Sequence, residues 1–438
     1  MSSDITLSQQ LIRLIRDKKV SGQDLQRASV MTLDALANTL AGRNSKPGRL
    51  LLEWGRTQAK DAGRQAFVAG GLTHILETDD LHRESVTHPG CIVVPAVLAL
   101  SNETEVDGPA FLTAVLHGYE AMCRIGNAVG PTHYKIWHNT ATCGPFGSAM
   151  AACAIGNISD EQAMHALGNA GTQSSGFWEF LETGAMSKHL HAGRAAESGI
   201  IATQLAALGF TGPPAILEGP KGFFSATCPD ATPAAVLADP ERPWELTETS
   251  IKPWPCCRHT HPVIDAALEI HAQIDSREIE SVEIETYRAA LDVCNRPQPE
   301  NEYSAKFSLH HTAALALTKG EIQFDSFDAA TREDMAVLRA HVSVSATEPY
   351  VSAYPDAWGA CVTVRLIDGE QISAERMGAL GDPGLALSDD QMIAKATTML
   401  SYAGLEDSLS QKLIDGVLKL PAGGSSRALV SLIAKELR

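Results

Sequence analysis

A dense group of ionisable side chains comes directly before an apolar run in the first quarter of the chain. Its members are Glu77, Asp79, Asp80, His82 and His88. The apolar run, from Ile92 to Leu100, is typical of a buried helix that begins near Pro95. Acids and imidazoles beside a core segment are costly to remove from water. The group therefore indicates proton transfer, anion binding or a metal site, with a solvated, helix-capping loop as the structural alternative.

Metal binding and metal-free acid–base chemistry both fit these residue types. Carboxylates and imidazoles are ligands for zinc and for harder cations. The same side chains donate and accept protons near neutral pH when their surroundings shift their pKa values. The spacing within the group does not choose between the two, so the rest of the chain has to decide.

Two further polar groups lie beside segments rich in small residues. His138 precedes Thr140 and other groups that would suit an anion at a helix N-terminus. Lys188, His191 and Arg194 follow three-residue spacing, so they share one helical face that would suit a carboxylate ligand. The structural alternatives are a helix cap with a hydrogen-bonded histidine and a solvated basic stripe.

A third group lies in a proline-rich segment between residues 251 and 262. Its cationic or potentially cationic members are Lys252, Arg258, His259 and His261. Prolines restrict φ in this segment, which comes where the helical pattern gives way to strands. Domain junctions are common ligand sites, so the segment is a candidate for binding an anion. A rigid linker with incidental charge is the alternative.

Composition argues against several classes of partner. The chain has 438 residues, enough for two domains, and 44% of them are hydrophobic. Its formal net charge of −17 argues against nucleic acid and anionic membrane surfaces. No apolar stretch is long enough to span a bilayer and no signal-peptide pattern opens the chain, so we expect a cytoplasmic location. Nine cysteines without a CxxC pair are typical of reduced, buried thiols.

Hydrophobic periodicity changes along the chain. Apolar residues at helical spacing predict helices over most of residues 11–208. Alternating segments at 281–286, 341–346 and 361–367 predict strands, and the last of these enters a hairpin turn. After Pro383 the helical pattern returns.

This order predicts a fold that is mainly α with an α+β part. We predict an all-helical domain formed by both chain ends, residues 1–250 and 381–438. An α+β lid domain, residues 251–380, is inserted into it. No strand is expected before about residue 250.

Taken together, these segments resemble the MmgE/PrpD family, which includes 2-methylcitrate dehydratase, cis-aconitate decarboxylase and iminodisuccinate epimerase. The similar segments, in the family's order, are Asp79–Pro89, Gly118–Glu120, Trp137–His138, Lys188–Ala196, Lys252–His261, Ala305–Ser308 and Gly381–Pro383. They extend over nearly the whole chain. The resemblance implies a helical domain from both termini with an α+β lid, a homodimer, small polycarboxylate substrates, and no metal or organic cofactor.

The resemblance also carries family functional positions onto this chain. They fall on Glu77, His88, His138, Lys188 and Lys252. Glu77 replaces the first aspartate of the family's Asp-x-Asp-Asp pattern, which keeps the charge and adds one methylene group. Leu81 replaces a family threonine, and Cys257 stands where cis-aconitate decarboxylases have a histidine. These last two departures argue against a cis-aconitate decarboxylase.

The resemblance and the residue types together predict a lyase, most simply a hydro-lyase acting on a 2-hydroxy polycarboxylate such as 2-methylcitrate. We expect His138 to act as the base and His88 as the acid, with the roles open to exchange. The other expected catalytic residues are Lys188, Asp80 and Glu77, and the expected substrate-binding residues are Asp79, His82, Lys252, Cys257, Arg258 and His261. The alternatives are an epimerase or decarboxylase of a related polycarboxylate, and a non-catalytic or metal-dependent carboxylate-binding protein.

Overall fold

The chain forms two compact units in the computed structural model, which describes residues 5–274 and 277–437. Unit 1 comprises Met1–Ile251 and Ser388–Arg438, and unit 2 comprises Lys252–Leu387. Unit 1 is thus built from both ends of the chain, whereas unit 2 is one continuous segment. Unit 1 is almost wholly helical and unit 2 is α+β, which confirms the predicted fold class.

The first segment of unit 1 is a succession of helices that follows the predicted apolar periodicity. They are α1 (Leu7–Asp17), α2 (Gly22–Gly42), α3 (Lys46–Arg56), α4 (Ala62–Thr73), α5 (Gly90–Glu103), α6 (Gly108–Ala128), α7 (Pro131–Tyr134), α8 (Asn139–Gly156), α9 (Asp160–Gly171), α10 (Phe180–Thr183), α11 (Ser187–Ala207) and α12 (Phe223–Thr227), with 3-10 turns at Pro233–Leu237 and Glu245–Glu248. Hydroxyl side chains cap several of them, for example Thr6 before α1 and Ser21 before α2.

Helix α5 begins at Gly90, so the predicted start near Pro95 is wrong. The Gly90 N–H donates to both carboxylate oxygens of Asp80, at 3.0 and 3.1 Å. A carboxylate at a helix N-terminus satisfies a backbone donor and complements the helix dipole. Pro95 therefore lies inside the helix and removes one intrahelical hydrogen bond without ending it.

Two very short strands lie in unit 1, which corrects the expectation of no strand before about residue 250. Strand β1 (Leu81–His82) pairs antiparallel with β2 (Thr249–Ser250). Only two residues on each side take part, so no alternating pattern is long enough to reveal the pair in the sequence. The pairing holds the loop after α4 against the end of the first segment.

Unit 2 is built on one mixed sheet with helices. Its elements are α13 (His261–Ile274), β3 (Ile279–Thr286), α14 (Arg288–Cys294), α15 (Glu302–Lys306), α16 (Leu309–Lys319), α17 (Ala329–Asp334), α18 (Ala336–Arg339), β4 (Val342–Ala346), α19 (Tyr350–Ala353), β5 (Ala360–Leu366) and β6 (Gln371–Arg376), with 3-10 turns at Arg258–Thr260, Phe324–Phe327 and Pro383–Leu385. The strand order is β4-β3-β5-β6. β3 and β4 are parallel and the other pairs are antiparallel. Gly369, at φ +93°, turns the predicted hairpin between β5 and β6.

The chain then returns to unit 1 with α20 (Asp389–Tyr402), α21 (Asp407–Leu418) and α22 (Ser426–Glu436), and a 3-10 turn at Leu420–Ala422. The ammonium of Lys395 on α20 lies 2.5 Å from Asp34 Oδ1 and donates to the Thr78 carbonyl at 2.9 Å. A helix from the end of the chain thereby supports the loop that carries the ionisable group.

Close helix packing sets the spacing of unit 1. A Cβ atom at Gly193 of α11 would lie 2.4 Å from the Phe67 carbonyl oxygen of α4. A Cβ at Gly199 would lie 2.3 Å from the Ala149 nitrogen of α8. Glycine thus lets α11 touch the backbones of two neighbouring helices. Among the described residues, no helix is both long enough and apolar enough to cross a membrane. The nine cysteines, all described, are free thiols.

Candidate active site

Four imidazoles from separate parts of unit 1 form one cluster, here called the imidazole cluster. They are His74 at the end of α4, His88 before α5, His138 at the start of α8 and His191 on α11. The His74 ring lies edge-on to that of His88, with centroids 4.8 Å apart. It stacks on the His138 ring at 5.6 Å, with planes 12° apart. The Nδ1 atoms of His138 and His191 are 3.3 Å apart.

Asp79 lies beside two rings of the cluster. Its Oδ2 atom is 2.6 Å from His74 Nδ1 and 3.4 Å from His88 Nδ1. Burial acts to raise the pKa of Asp79, but the two imidazoles hold it well below its usual value of 3.8. Asp79 is therefore a buried anion that compensates positive charge in the cluster.

Asp80 has the opposite character to its neighbour. Burial first, and then the charge of Asp79, raises the pKa of Asp80 to about 8. The Tyr119 hydroxyl donates to Asp80 Oδ2 at 2.7 Å, and the Asp80 carbonyl oxygen is 2.5 Å from His88 Nδ1. Asp80 is thus mostly protonated at neutral pH, so it is a carboxylic acid able to donate a proton.

The proposed base His138 lies in surroundings that favour its neutral form. Burial lowers its pKa well below 6.5, and the positive charges of His74 and Lys188 lower it further. The pKa of His191 falls to about 4, again chiefly by burial. The Nδ1 atoms of His138 and His191 face each other at 3.3 Å, so at most one of these two nitrogen atoms carries a proton. A neutral imidazole can accept a proton from a substrate.

Lys188 forms a buried ion pair with Glu77. Lys188 Nζ is 2.5 Å from Glu77 Oε1, and their side chains are 6% and 2% exposed. Glu77 has φ +62°, a left-handed conformation that a non-glycine residue adopts at some cost. The tertiary structure therefore holds Glu77 in place against its backbone preference. Arg194, on the same helix as Lys188, instead pairs with Glu197 at 2.6 Å and is largely exposed.

His82 lies outside the imidazole cluster. Its ring nitrogens are 2.8 Å from Ser85 Oγ and 3.0 Å from Glu245 Oε2. Glu245 also forms an ion pair with Arg242, whose Nη1 lies 3.5 Å from Glu245 Oε1. These contacts tie the loop before α5 to the end of the first segment, so they indicate a supporting role for His82.

The remaining predicted residues belong to unit 2, where Arg258 is the most informative. Its Nη2 lies 2.5 Å from Asp382 Oδ1 and donates to the Ala379 carbonyl at 3.3 Å. Its Nε and Nη1 groups are buried and have no hydrogen-bond acceptor among the described residues. Unsatisfied buried donors are rare and indicate that a ligand or water completes the site.

Lys252, Cys257 and His261 are also buried within unit 2. His261 Nε2 is 3.3 Å from the Cys256 carbonyl oxygen, and its ring lies edge-on to Trp254 at 5.1 Å. The backbone N–H of Cys257 donates to the Lys306 carbonyl at 2.9 Å. The predicted residues thus fall in two groups, one in each unit.

His74 is the functional candidate that the sequence analysis missed. It lies three residues before Glu77 in the sequence, but it is not part of the predicted group of ionisable residues that begins at Glu77. The stretch from residue 74 to 88 therefore contained the signal. What the sequence did not show is that the end of α4 turns this ring toward Asp79.

Two sets of side chains bring potential metal ligands within 4.8 Å of one another. They are His74, Asp79 and Cys91, and His82, Glu84 and Glu245. In the first set, burial and then the charge of Asp79 raise the pKa of the Cys91 thiol well above 9. Side chains of both sets also contact one another directly, His74 Nδ1 with Asp79 Oδ2 at 2.6 Å and His82 Nε2 with Glu245 Oε2 at 3.0 Å.

Comparison with known families decides the family. Residues 11–235 match the MmgE/PrpD N-terminal domain and residues 254–420 match the MmgE/PrpD C-terminal domain. The chain belongs to the MmgE/PrpD family. The family resemblance found in the sequence is therefore confirmed.

The MmgE/PrpD relatives with curated descriptions include several cis-aconitate decarboxylases. The mouse (Mus musculus) cis-aconitate decarboxylase is 28% identical over 289 residues, which is 63% of this chain and 58% of that protein. A cis-aconitate decarboxylase-like protein, oryM, from Aspergillus oryzae is 21% identical over 97% of this chain and 95% of its own length. An Aspergillus terreus cis-aconitate decarboxylase is 24% identical over 60% of this chain and 59% of its own. These relatives support a lyase-type family.

Proposed function

We propose that this protein is a cofactor-independent lyase acting on a small polycarboxylate, most simply a hydro-lyase for a 2-hydroxy di- or tricarboxylate such as 2-methylcitrate. The observation that carries the proposal is the imidazole cluster with its neutral His138, together with the protonated carboxyl group of Asp80 and the buried Lys188–Glu77 ion pair. Dehydration removes a proton from a carbon beside a carboxylate and a hydroxyl from the neighbouring carbon. It therefore needs one base, one acid and positive charge near the carboxylate.

His138 is the proposed base. Its lowered pKa leaves the ring neutral at pH 7, so it can accept the α-proton without first losing one. Its facing neighbour His191 can hold or release the proton at the Nδ1–Nδ1 contact of 3.3 Å. The contact therefore allows either tautomer of His138.

His88 and Asp80 are the proposed acid. The His88 side chain is 12% exposed, whereas Asp80 is a buried, protonated carboxyl group that contacts the Tyr119 hydroxyl and the Gly90 N–H. The Nδ1 of His88 lies 2.5 Å from the Asp80 carbonyl oxygen, which orients the ring, and we propose that this ring delivers the proton to the leaving hydroxyl. The hydroxyl departs as water once it takes this proton.

Lys188 is the proposed carboxylate-binding cation of unit 1, and Arg258 is a separate candidate for anion binding in unit 2. Negative charge grows on the substrate carboxylate as the α-proton leaves, so fixed cations lower the barrier. Glu77 holds Lys188 in place at 2.5 Å. Arg258 offers buried N–H groups without an acceptor among the described residues. We keep Lys252, Cys257 and His261 as further candidates for substrate binding in unit 2.

Decarboxylation is the second candidate, because several relatives are named cis-aconitate decarboxylases. In that reaction the carbon–carboxylate bond breaks, carbon dioxide leaves, and the acid delivers a proton to the carbon. The same acid would serve both reactions, but decarboxylation needs no base to remove an α-proton. Epimerisation, the third candidate, uses a base and an acid on opposite faces of one carbon. The substrate loses neither water nor carbon dioxide.

Proton NMR in D2O separates these reactions. Purified protein is incubated with 2-methylcitrate, citrate, cis-aconitate, malate and amino-dicarboxylates, with and without a chelator. New olefinic signals from a saturated substrate without release of carbon dioxide identify a hydro-lyase, and release of carbon dioxide identifies a decarboxylase. Deuterium uptake without net conversion identifies an epimerase. Activity that the chelator abolishes would contradict the cofactor-free proposal.

A binding protein without activity gives a different result. Every substrate would stay unchanged and unexchanged, while calorimetry would still detect polycarboxylate binding. A homodimer and a cytoplasmic location also stay proposals, drawn from the resemblance and the sequence. Sedimentation equilibrium of the full chain tests the first.

A further inference from the structure

His74 is fully buried and pairs with Asp79, the carboxylate beside the imidazole cluster whose pKa is held low. Its side chain and that of Asp79 are 0% and 1% exposed, and their Nδ1 and Oδ2 atoms are 2.6 Å apart. The corresponding distance from Asp79 to His88 is 3.4 Å. Asp79 therefore forms its shorter imidazole contact with His74 and its longer one with His88.

His74 contacts both rings to which the proposed function assigns proton transfer. It stacks on His138 with planes 12° apart, and it lies edge-on to His88 at 4.8 Å. Its Nε2 is buried and has no hydrogen-bond partner among the described residues. An unsatisfied buried nitrogen carries a desolvation cost, so the contacts of His74 with Asp79, His138 and His88 have to offset it.

Resting on the proposed function, we propose that His74 is the positioning residue of the site: paired with Asp79, it holds the positive charge of the imidazole cluster and fixes the ring plane of His138. A second imidazolium stacked on the first would face an uncompensated like charge in a buried site. His138 therefore stays neutral and ready to accept a proton.

The electrostatics of the neighbouring histidines agree with this geometry. In His138, His189 and His191 alike, burial is the main cause of a lowered pKa and the charge of His74 comes next. The charged and titratable groups around His74 and His138 are Glu77, Asp79, Asp80, His88, Cys91, Lys188, His189 and His191. His74 lies closer to Asp79 than His88 does, at 2.6 Å against 3.4 Å.

The test is a histidine titration of the full-length protein with and without the His74 ring. The substitution His74→Asn places an amide N–H near the Nδ1 position, so the hydrogen bond to Asp79 is kept while the ring and its charge are lost. Removal of a positive neighbour raises the pKa of His138. We expect its NMR titration midpoint to move up by about one unit. The acid limb of any pH–rate profile moves up with it, and kcat falls more than KM rises.

His189→Asn is the matched control. His189 is also buried in this region, and the charges that most lower the pKa of His138 come from His74, Lys188, His191 and His88. We expect this variant to leave the His138 midpoint unchanged. An unchanged or lowered midpoint in His74→Asn, or equal shifts in both variants, would overturn the proposal.

A measurement on the unaltered protein covers the case in which His74→Asn does not fold. Nitrogen-15 shifts of histidine-labelled protein at pH 7 report protonation at each ring nitrogen. We expect His74 to show two protonated nitrogens and His138 one. A neutral His74 beside a charged His138 would refute the assignment. Because neither readout requires turnover, a failure of the lyase proposal is separate from a failure of this one.

Discussion

At the scale of residues, adjacent side chains of one type have opposite protonation. Asp79 faces two imidazoles and stays ionised, whereas Asp80 faces the Tyr119 hydroxyl and the charge of Asp79. Both are buried, so the difference comes from their partners. Such a divergence of neighbouring pKa values is characteristic of acid–base sites.

The raised pKa of Asp80 makes stability depend on pH. Asp80 ionises near pH 3.8 in the unfolded chain but near pH 8 in the folded protein. Between these values the folded state holds the extra proton, so the stability it contributes is fully present below pH 3.8 and is lost as pH rises to about 8. Asp80→Asn removes this titration and keeps an acceptor for Gly90. We expect the difference in melting temperature between the variant and the parent protein to increase in the variant's favour from pH 5 to about 8 and to stay constant above that.

The control for this pH series is Asp107→Asn, which changes the N-cap of α6, outside the cluster. Its difference in melting temperature from the parent protein should stay constant with pH. A constant difference for Asp80→Asn as well would show that Asp80 is already ionised at neutral pH.

A second residue-scale prediction concerns His138. His138→Gln keeps an amide in the cluster but cannot accept the α-proton. We expect deuterium exchange or turnover with the best substrate of the panel to fall by roughly 10²–10⁴-fold. His165→Asn, a partly exposed substitution on α9, should leave the rate within a factor of about two of the parent enzyme, in keeping with the small effects of surface changes. Equal rates in His138→Gln and the parent would remove His138 from the mechanism.

At the scale of elements, small residues set the distance between the helices that carry the cluster. His74 ends α4, and His191 and Lys188 belong to α11. These two helices touch at Gly193, whose missing side chain makes room for the Phe67 carbonyl. The chemistry of the cluster therefore depends on a residue with no chemistry of its own.

Gly193→Ala tests this dependence. The new methyl group would meet a backbone oxygen at 2.4 Å, so α4 and α11 must move apart. Overpacking of this kind costs roughly 1–3 kcal/mol of unfolding free energy, which urea denaturation measures. Gly22→Ala is the control, because a Cβ there meets nothing within 4 Å, and it should be neutral or slightly stabilising. Equal stability of the two variants would mean that the helices tolerate a wider spacing.

At the scale of the whole molecule, the two ends of the chain cooperate in unit 1. Lys395 of α20 pairs with Asp34 of α2 and holds the Thr78 carbonyl in the loop of the ionisable group. The pair is buried, at 8% and 2% exposure. The last helices are thus part of the support for the site.

Lys395→Met should be strongly destabilising because it leaves the buried charge of Asp34 less compensated. Loss of one partner of a buried ion pair typically costs about 3–5 kcal/mol. The double variant Asp34→Asn with Lys395→Met should recover part of that loss, and a double-mutant cycle by urea denaturation gives the coupling energy. Simple additivity of the two single changes would show that the pair contributes little.

The sequence by itself determined the fold class and the family, and it supplied most of the residues that we propose for the site. These predictions came from local signals, namely long segments with helical periodicity, three alternating segments and ordered motifs. Each involves residues close together in the chain, so the sequence alone shows it. They led to α11, to the hairpin of β5 and β6, and to His88 and His138. The start of α5 was missed because its cap comes from Asp80, a tertiary contact rather than a neighbour in the helix.

Only the tertiary structure decided which of those residues contact one another. It gave Asp79 and Asp80 opposite pKa shifts, brought His82 into contact with Glu245, paired Lys188 with Glu77, and brought His74 into the cluster. Each outcome depends on burial and on which charge lies within a few ångströms. Burial and nearby charge are set when helices distant in sequence pack together. The spacing of residues along the chain therefore does not predict them.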